Sequence, residues 1–123
     1  GVAQYAVLIH ADDSAHAPRA TPADTASCDE HADELAAAGA VLAAYALAPR
    51  RTATSLRAGG RSEGPFTGSG QVLVGFYVLE APDPEAALAV AGTNPVLRQG
   101  GGVEVRPVHS GGPVRAAHGR GGQ

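Results

Sequence analysis

The sequence predicts an α+β fold of ferredoxin-like type, a sandwich in which two helices cover one face of a mainly antiparallel sheet in the order β-α-β-β-β-α-β. Three observations carry that prediction. Short apolar, β-branched runs at residues 2–10 and 71–80 have the length and residue types of strands. Two helix-start signals, Thr21-Pro22-Ala23-Asp24 and Pro82-Asp83-Pro84-Glu85, each follow a strand. No internal repeat of solenoid period is present.

The first strand, residues 2–10, alternates so that Tyr5, Val7 and Ile9 share one face while Gln4, Ala6, Leu8 and His10 share the other. A polar loop over residues 11–20 holds Asp12, Asp13 and His16. Thr21 then caps a helix that runs to Ala38, with Pro22 in its first turn, Asp24 placed for a capping box and Gly39 as the stop. Helical spacing puts residues 24, 28, 31, 35 and 38 on one stripe, so Cys28, His31 and Leu35 point the same way. Strands are expected at 40–48 and 52–58, the second turning at Gly59-Gly60. Residues 62–70 form a loop before the strong strand 71–80. Asp83 caps a short helix stopped by Gly92, Thr93-Asn94-Pro95 opens a turn carrying Arg98, and a last strand covers 103–108.

The 123 residues suffice for one domain, expected over 1–108, followed by a tail over 109–123 that is too poor in apolar residues to order itself and is expected to be flexible. Alanine and valine dominate the apolar residues, beside three Tyr, two Phe and no Trp or Met, so the core is built from small side chains and gains from a second copy closing over it. A net charge of −3 argues against nucleic acid and anionic membrane surfaces as partners. A single cysteine makes no internal disulfide, and no apolar run approaches the ~20 residues that span a bilayer. No basic segment with an apolar run behind it opens the chain, and the expectation is a cytoplasmic protein.

The segment Ser62-Glu63-Gly64-Pro65-Phe66, running through a Gly-rich bend into Gln71-Val72-Leu73-Val74-Gly75-Phe76-Tyr77-Val78-Leu79-Glu80, resembles the DGPF branch of the YCII-related family, with Glu63 in place of the aspartate. The closing Gly102-Val103-Glu104-Val105-Arg106-Pro107-Val108 adds to the likeness, which covers roughly residues 2–108. The resemblance implies a dimeric α/β barrel, in which two ferredoxin-like sheets associate as a homodimer and leave a cleft between sheet and helix. Some relatives are lyases, one of them a dehydrochlorinase acting on a chlorinated hydroxyquinol. A histidine and an aspartate are the family's usual acid–base pair; counting back from Gly39 puts Cys28 where the histidine stands, and Asn94 replaces the acid. A thiol and a side-chain amide do not reproduce that relay, because neither is a base near neutrality.

Candidate acid–base residues are therefore His10, Asp12, Cys28 and His31. His10 ends a strand where many DGPF relatives have tyrosine, and Asp12 or Asp13 would orient its imidazole; the bland alternative is a rim histidine. Cys28 and His31, three apart on a helix, form either a nucleophile with its base or a packed small hydrophobe beside a histidine. Candidate substrate contacts are Tyr45, Glu63, Phe66, Tyr77, Asn94 and Arg98, each with a structural reading beside it: phenols that pack, a bend whose Phe66 anchors the core, arginines such as Arg57, Arg98 and Arg106 that stay solvated. A metal site drawn from His10, Asp12, His16 and Cys28 or His31 matches no ligand spacing, and neither metal nor cofactor is expected. The glycines at 68, 70 and 75 precede a strand, so they form no nucleotide-binding fingerprint.

Two functions are compatible with these residues. One is a small cofactor-independent lyase or isomerase doing acid–base chemistry on an aromatic or polyketide-like small molecule, with a place in secondary metabolism. The other is a non-catalytic dimeric module that binds a small ligand or regulates a partner. Convergence of His10, a neighbouring aspartate and His31 in one pocket would favour the enzyme.

Overall fold

The structure, a computed structural model, describes residues 2–14, 20–38, 40–67 and 70–114, with backbone alone for 36–38. Its elements in chain order are β1 (Ala3–Ala11), α1 (Pro22–Ala38), β2 (Val41–Ala46), β3 (Thr54–Arg57), β4 (Gly60–Glu63), β5 (Val72–Ala81), α2 (Pro84–Ala91) and β6 (Gly102–Pro107). Single 3-10 turns, Arg50–Thr52 and Pro95–Arg98, precede β3 and β6. The main sheet has the order β2-β5-β1-β6 and is antiparallel throughout, as a ferredoxin-like α+β sandwich requires. The family bend departs from the expected loop: β4 pairs with β3 in a separate two-stranded hairpin, with Thr54 opposite Glu63.

Both helices start as their sequences dictate. Thr21 Oγ1 accepts the Asp24 amide at 3.1 Å, and Asp83 Oδ1 accepts the Ala86 amide at 2.8 Å with Pro84 in the first turn. These caps supply partners for amides that have none inside the helix. The helices lie on one face of the sheet, where Tyr5 and Val7 of β1 meet Tyr77 and Leu79 of β5, with Leu35 of α1 and Ala87 and Ala91 of α2 over them. Val7 and Leu79 are fully buried. Truncating either to alanine removes a packed branched side chain from a core that owns few large ones.

Among the described residues, no helix covers the opposite face of the sheet. Leu8 pairs with Phe76, Ala6 with Val78 and His10 with Leu73, all directed away from the helices, and Tyr45 stacks its ring 5.4 Å from that of Phe76. Tyr45 and Leu73 are exposed there.

Two register shifts interrupt this sheet, one in β2 between Val41 and Ala43 and one at the opposite end of β5. The register of β1 against β5 shifts between Ile9 and His10, because Ile9 faces Gly75 while His10 faces Leu73, so Val74 is the extra residue of a bulge. The bulge bends β5 where α1 and the 3-10 turn Pro95–Arg98 approach.

Candidate functional site

At that end, β1, α1, β2, β5 and the 3-10 turn surround a cleft of about 200 Å³. Each wall follows from local sequence. The stripe on α1 contributes Cys28, His31 and Leu35, with His31 and Leu35 buried and Cys28 half-buried. The inward face of β1 contributes Ile9 and Ala11, and β5 contributes Gly75 and Tyr77. Gly75 lets β2 close on β5 here, since a Cβ at this position would stand 2.8 Å from the Tyr45 carbonyl oxygen. Asn94, 5 % exposed, turns its Oδ1 onto the Val96 amide at 3.0 Å, which caps the 3-10 turn and holds Val96 against the cleft.

Two atoms give the cleft its chemistry. Among the described residues, His31 Nε2 and the Tyr77 hydroxyl are the buried side-chain polar atoms that find no hydrogen-bond partner, and both residues line this one space. His31 is 7 % exposed and Tyr77 2 %. A buried polar group without a partner costs ~1–3 kcal/mol, so two around one cavity are a standing provision for something that binds there.

Burial shifts the titration of three groups in the cleft wall. It pushes the His31 imidazole below its usual value, with Glu34 opposing and Arg98 reinforcing that shift. It holds the Tyr77 phenol up at about 12. Burial also raises the Cys28 thiol, helped by the carboxylates of Asp29 and Asp24. At neutral pH the cleft presents a neutral imidazole, a phenol and a thiol, which makes His31 a base and Tyr77 a hydrogen donor, while Cys28 is a poor nucleophile.

The predicted residues divide between this cleft and elsewhere. Cys28, His31, Tyr45, Tyr77 and Asn94 line it. His10 does not join them: strand alternation sends its imidazole to the bare face, where Nε2 lies 3.8 Å from Glu104. The expected partnership with Asp12 or Asp13 is not formed either. The Asp12 carbonyl accepts the Arg50 guanidinium at 2.9 Å, and Asp13 Oδ1 accepts the amides of Ser14 and Arg50 at 2.8 Å each. Glu63 ends β4 in solvent, 3.7 Å from Arg61. Phe66 is no core anchor: it is 60 % exposed, with the Arg57 guanidinium 3.8 Å above its ring. Arg98 stands outside the lining and acts on His31 through its charge, while the next residue, Gln99, takes the expected place in the wall. The one-residue offset arises because Pro95–Arg98 coils as a 3-10 turn.

His16 lies outside the described residues, as do Gly39 and Gly68. Among the described residues no three His, Cys, Asp or Glu gather as metal ligands, and no helix is long and apolar enough to cross a membrane. Asp13, named with Asp12 as the expected partner of His10, lines the cleft instead; sequence reasoning missed Val96 and Gln99 as wall residues, to which the Asn94-Pro95 turn signal was the available pointer.

Comparison with known proteins adds one result. The model of the YCII-related domain family matches residues 3–110, nearly all of the described chain. A search of curated proteins finds no match.

Proposed function

The chain belongs to the YCII-related domain family, and from that premise we propose that it is a small cofactor-independent enzyme of lyase or isomerase type, acting by acid–base chemistry on an aromatic or polyketide-like molecule. The observation that carries this reading is the pair of unpartnered buried atoms, His31 Nε2 and the Tyr77 hydroxyl, on one cleft. With its proton on Nδ1, His31 offers a bare Nε2 that removes a proton from carbon beside a carbonyl. The C–H electron pair forms a carbon–carbon double bond as the C=O π pair moves to the carbonyl oxygen, and Tyr77 donates a hydrogen bond to the charge that develops there. A lyase then expels a leaving group with its electron pair as the carbonyl re-forms; an isomerase returns the proton to another carbon. His31 thus takes the role that the strand-end position suggested for His10, because His31 faces the cleft.

Deuterium incorporation into acetophenone and acetylacetone, followed by proton NMR in D2O, tests the chemistry. The wild-type chain accelerates exchange, and His31→Gln loses that acceleration by about 10²–10⁴-fold. Exchange by His31→Gln at the wild-type rate overturns the assignment.

A binding module without turnover is the second reading. What favours it is Asn94, whose Oδ1 is spent on the Val96 amide. Binding of either ketone by the wild type with no acceleration of exchange decides for this reading.

Both readings include a homodimer joined through the bare sheet face, supported by the exposed Tyr45 and Leu73 and by Leu8, Phe76 and Val78 between them. A monomer in analytical ultracentrifugation at micromolar concentration refutes it.

A further inference from the structure

The cleft restricts what enters it in three independent ways. Its volume of about 200 Å³ compares with an engineered apolar cavity of ~150 Å³ that accepts benzene, so it holds one ring with a short substituent. Among the described residues its lining contains no Arg, and the charged side chains in the wall are the carboxylates of Asp13 and Asp29. Arg98 and Glu34 both influence His31 from outside the lining and act in opposite directions, Glu34 the more strongly, so the Arg98 charge offers an anion no net attraction from there. A ligand carboxylate would be desolvated in this space with no cation in the wall to pair with. An ammonium group would find Asp13 Oδ1 already accepting two amides at 2.8 Å, and Asp29 at the exposed rim, where water and salt screen its charge. Finally, the Tyr77 hydroxyl needs an acceptor: a hydrocarbon fills the space and leaves that group as unpaired as before.

We propose that the cleft selects an uncharged single-ring compound whose carbonyl oxygen accepts the Tyr77 hydrogen bond, and that it rejects ions of the same size. This rests on the reading of the cleft as the substrate site and adds the substrate's charge, size and anchoring group.

The test compares dissociation constants of the whole chain for four molecules of one shape: acetophenone, α-methylstyrene (a C=CH2 group in place of C=O), benzoate and 1-phenylethylammonium. Calorimetry or ligand-observed NMR at neutral pH supplies them. Acetophenone is expected to bind about 5- to 100-fold more tightly than α-methylstyrene and than either ion. Tyr77→Phe is expected to bring acetophenone down to the level of α-methylstyrene without weakening the latter, and retained α-methylstyrene binding shows that the variant is folded. Benzoate or the ammonium ion binding as tightly as acetophenone overturns the proposal, as does equal binding of acetophenone and α-methylstyrene, or no binding of the four at millimolar concentration. The outcome is separable from that of the exchange experiment. Selectivity without deuterium exchange leaves this inference standing and removes the acid–base reading, whereas exchange with a preference for benzoate does the reverse.

Discussion

Replacing Tyr77 by phenylalanine should make the empty protein more stable. The ring of Tyr77 is packed in the core against Val7 and Leu79, and its hydroxyl is buried with no partner. Phenylalanine keeps the ring and its contacts and removes one oxygen, so little packing is lost. What disappears is an unsatisfied hydroxyl, whose burial costs ~1–3 kcal/mol. A gain of about 1 kcal/mol is the conservative expectation, and for a domain of this size that is roughly 4 °C in Tm. Chemical and thermal unfolding without ligand measure it. Alkali provides an internal check. The native phenol titrates at about 12 against an ordinary value of 10.0, so the unfolded chain ionises first and wild-type stability falls as pH rises from 10 toward 12. Tyr77→Phe escapes that loss, and the gap between the two proteins widens across this window. A variant that melts below the wild type would mean that the hydroxyl is already hydrogen-bonded in the native state, and a gap that stays constant above pH 10 would mean that the phenol is open to water. The case for a waiting donor in the cleft would then collapse.

Two other outcomes are expected from the same geometry. Gly101→Ala places a Cβ that overlaps Val96 Cγ2 and stands 2.5 Å from the His10 carbonyl oxygen; the strain should cost about 1–3 kcal/mol in urea unfolding and displace the Val96 wall. His31 has its native pKa depressed below 6.5, so its contribution is complete above 6.5 and is lost as pH falls, because the unfolded chain takes up the proton first. Wild-type stability should therefore drop through this acid window more steeply than that of His31→Gln, and equal slopes by thermal unfolding would contradict the burial of His31.

The strands and helices were legible where pattern and chemistry agree. Asp83 before Pro84 specifies a helix start by a side-chain bond that forms as expected, and the alternation of Tyr5, Val7 and Ile9 marks the buried face of β1. The hairpin strand β4 was not legible, because Gly60, Arg61, Ser62 and Glu63 are all exposed and carry no hydrophobic period. Only the turn expected at Gly59-Gly60 hinted at it, and the structure sets that turn one residue earlier, at Ala58-Gly59. Half of the site was legible in the α1 stripe, where helical spacing alone placed Cys28 and His31 on the side of Leu35. His10 misled because its place at a strand end says nothing of which sheet face the helices cover, and its own alternation with Ile9 already put the two on opposite sides. The emptiness of a pocket and the missing partners of His31 and Tyr77 are properties of assembled side chains, and no residue type announces them.

The cleft exists because several of its walls end early. Ala11, Ala32, Ala44, Ala46 and Gly75 border it from three strands and a helix, and the space is what longer side chains would have filled. Specificity is thereby written in absent carbon as much as in His31 and Tyr77. A change of one alanine to valine or leucine would redraw the outline of what fits while leaving every polar group in place. The shape of the space can therefore change at these silent positions with His31 and Tyr77 untouched.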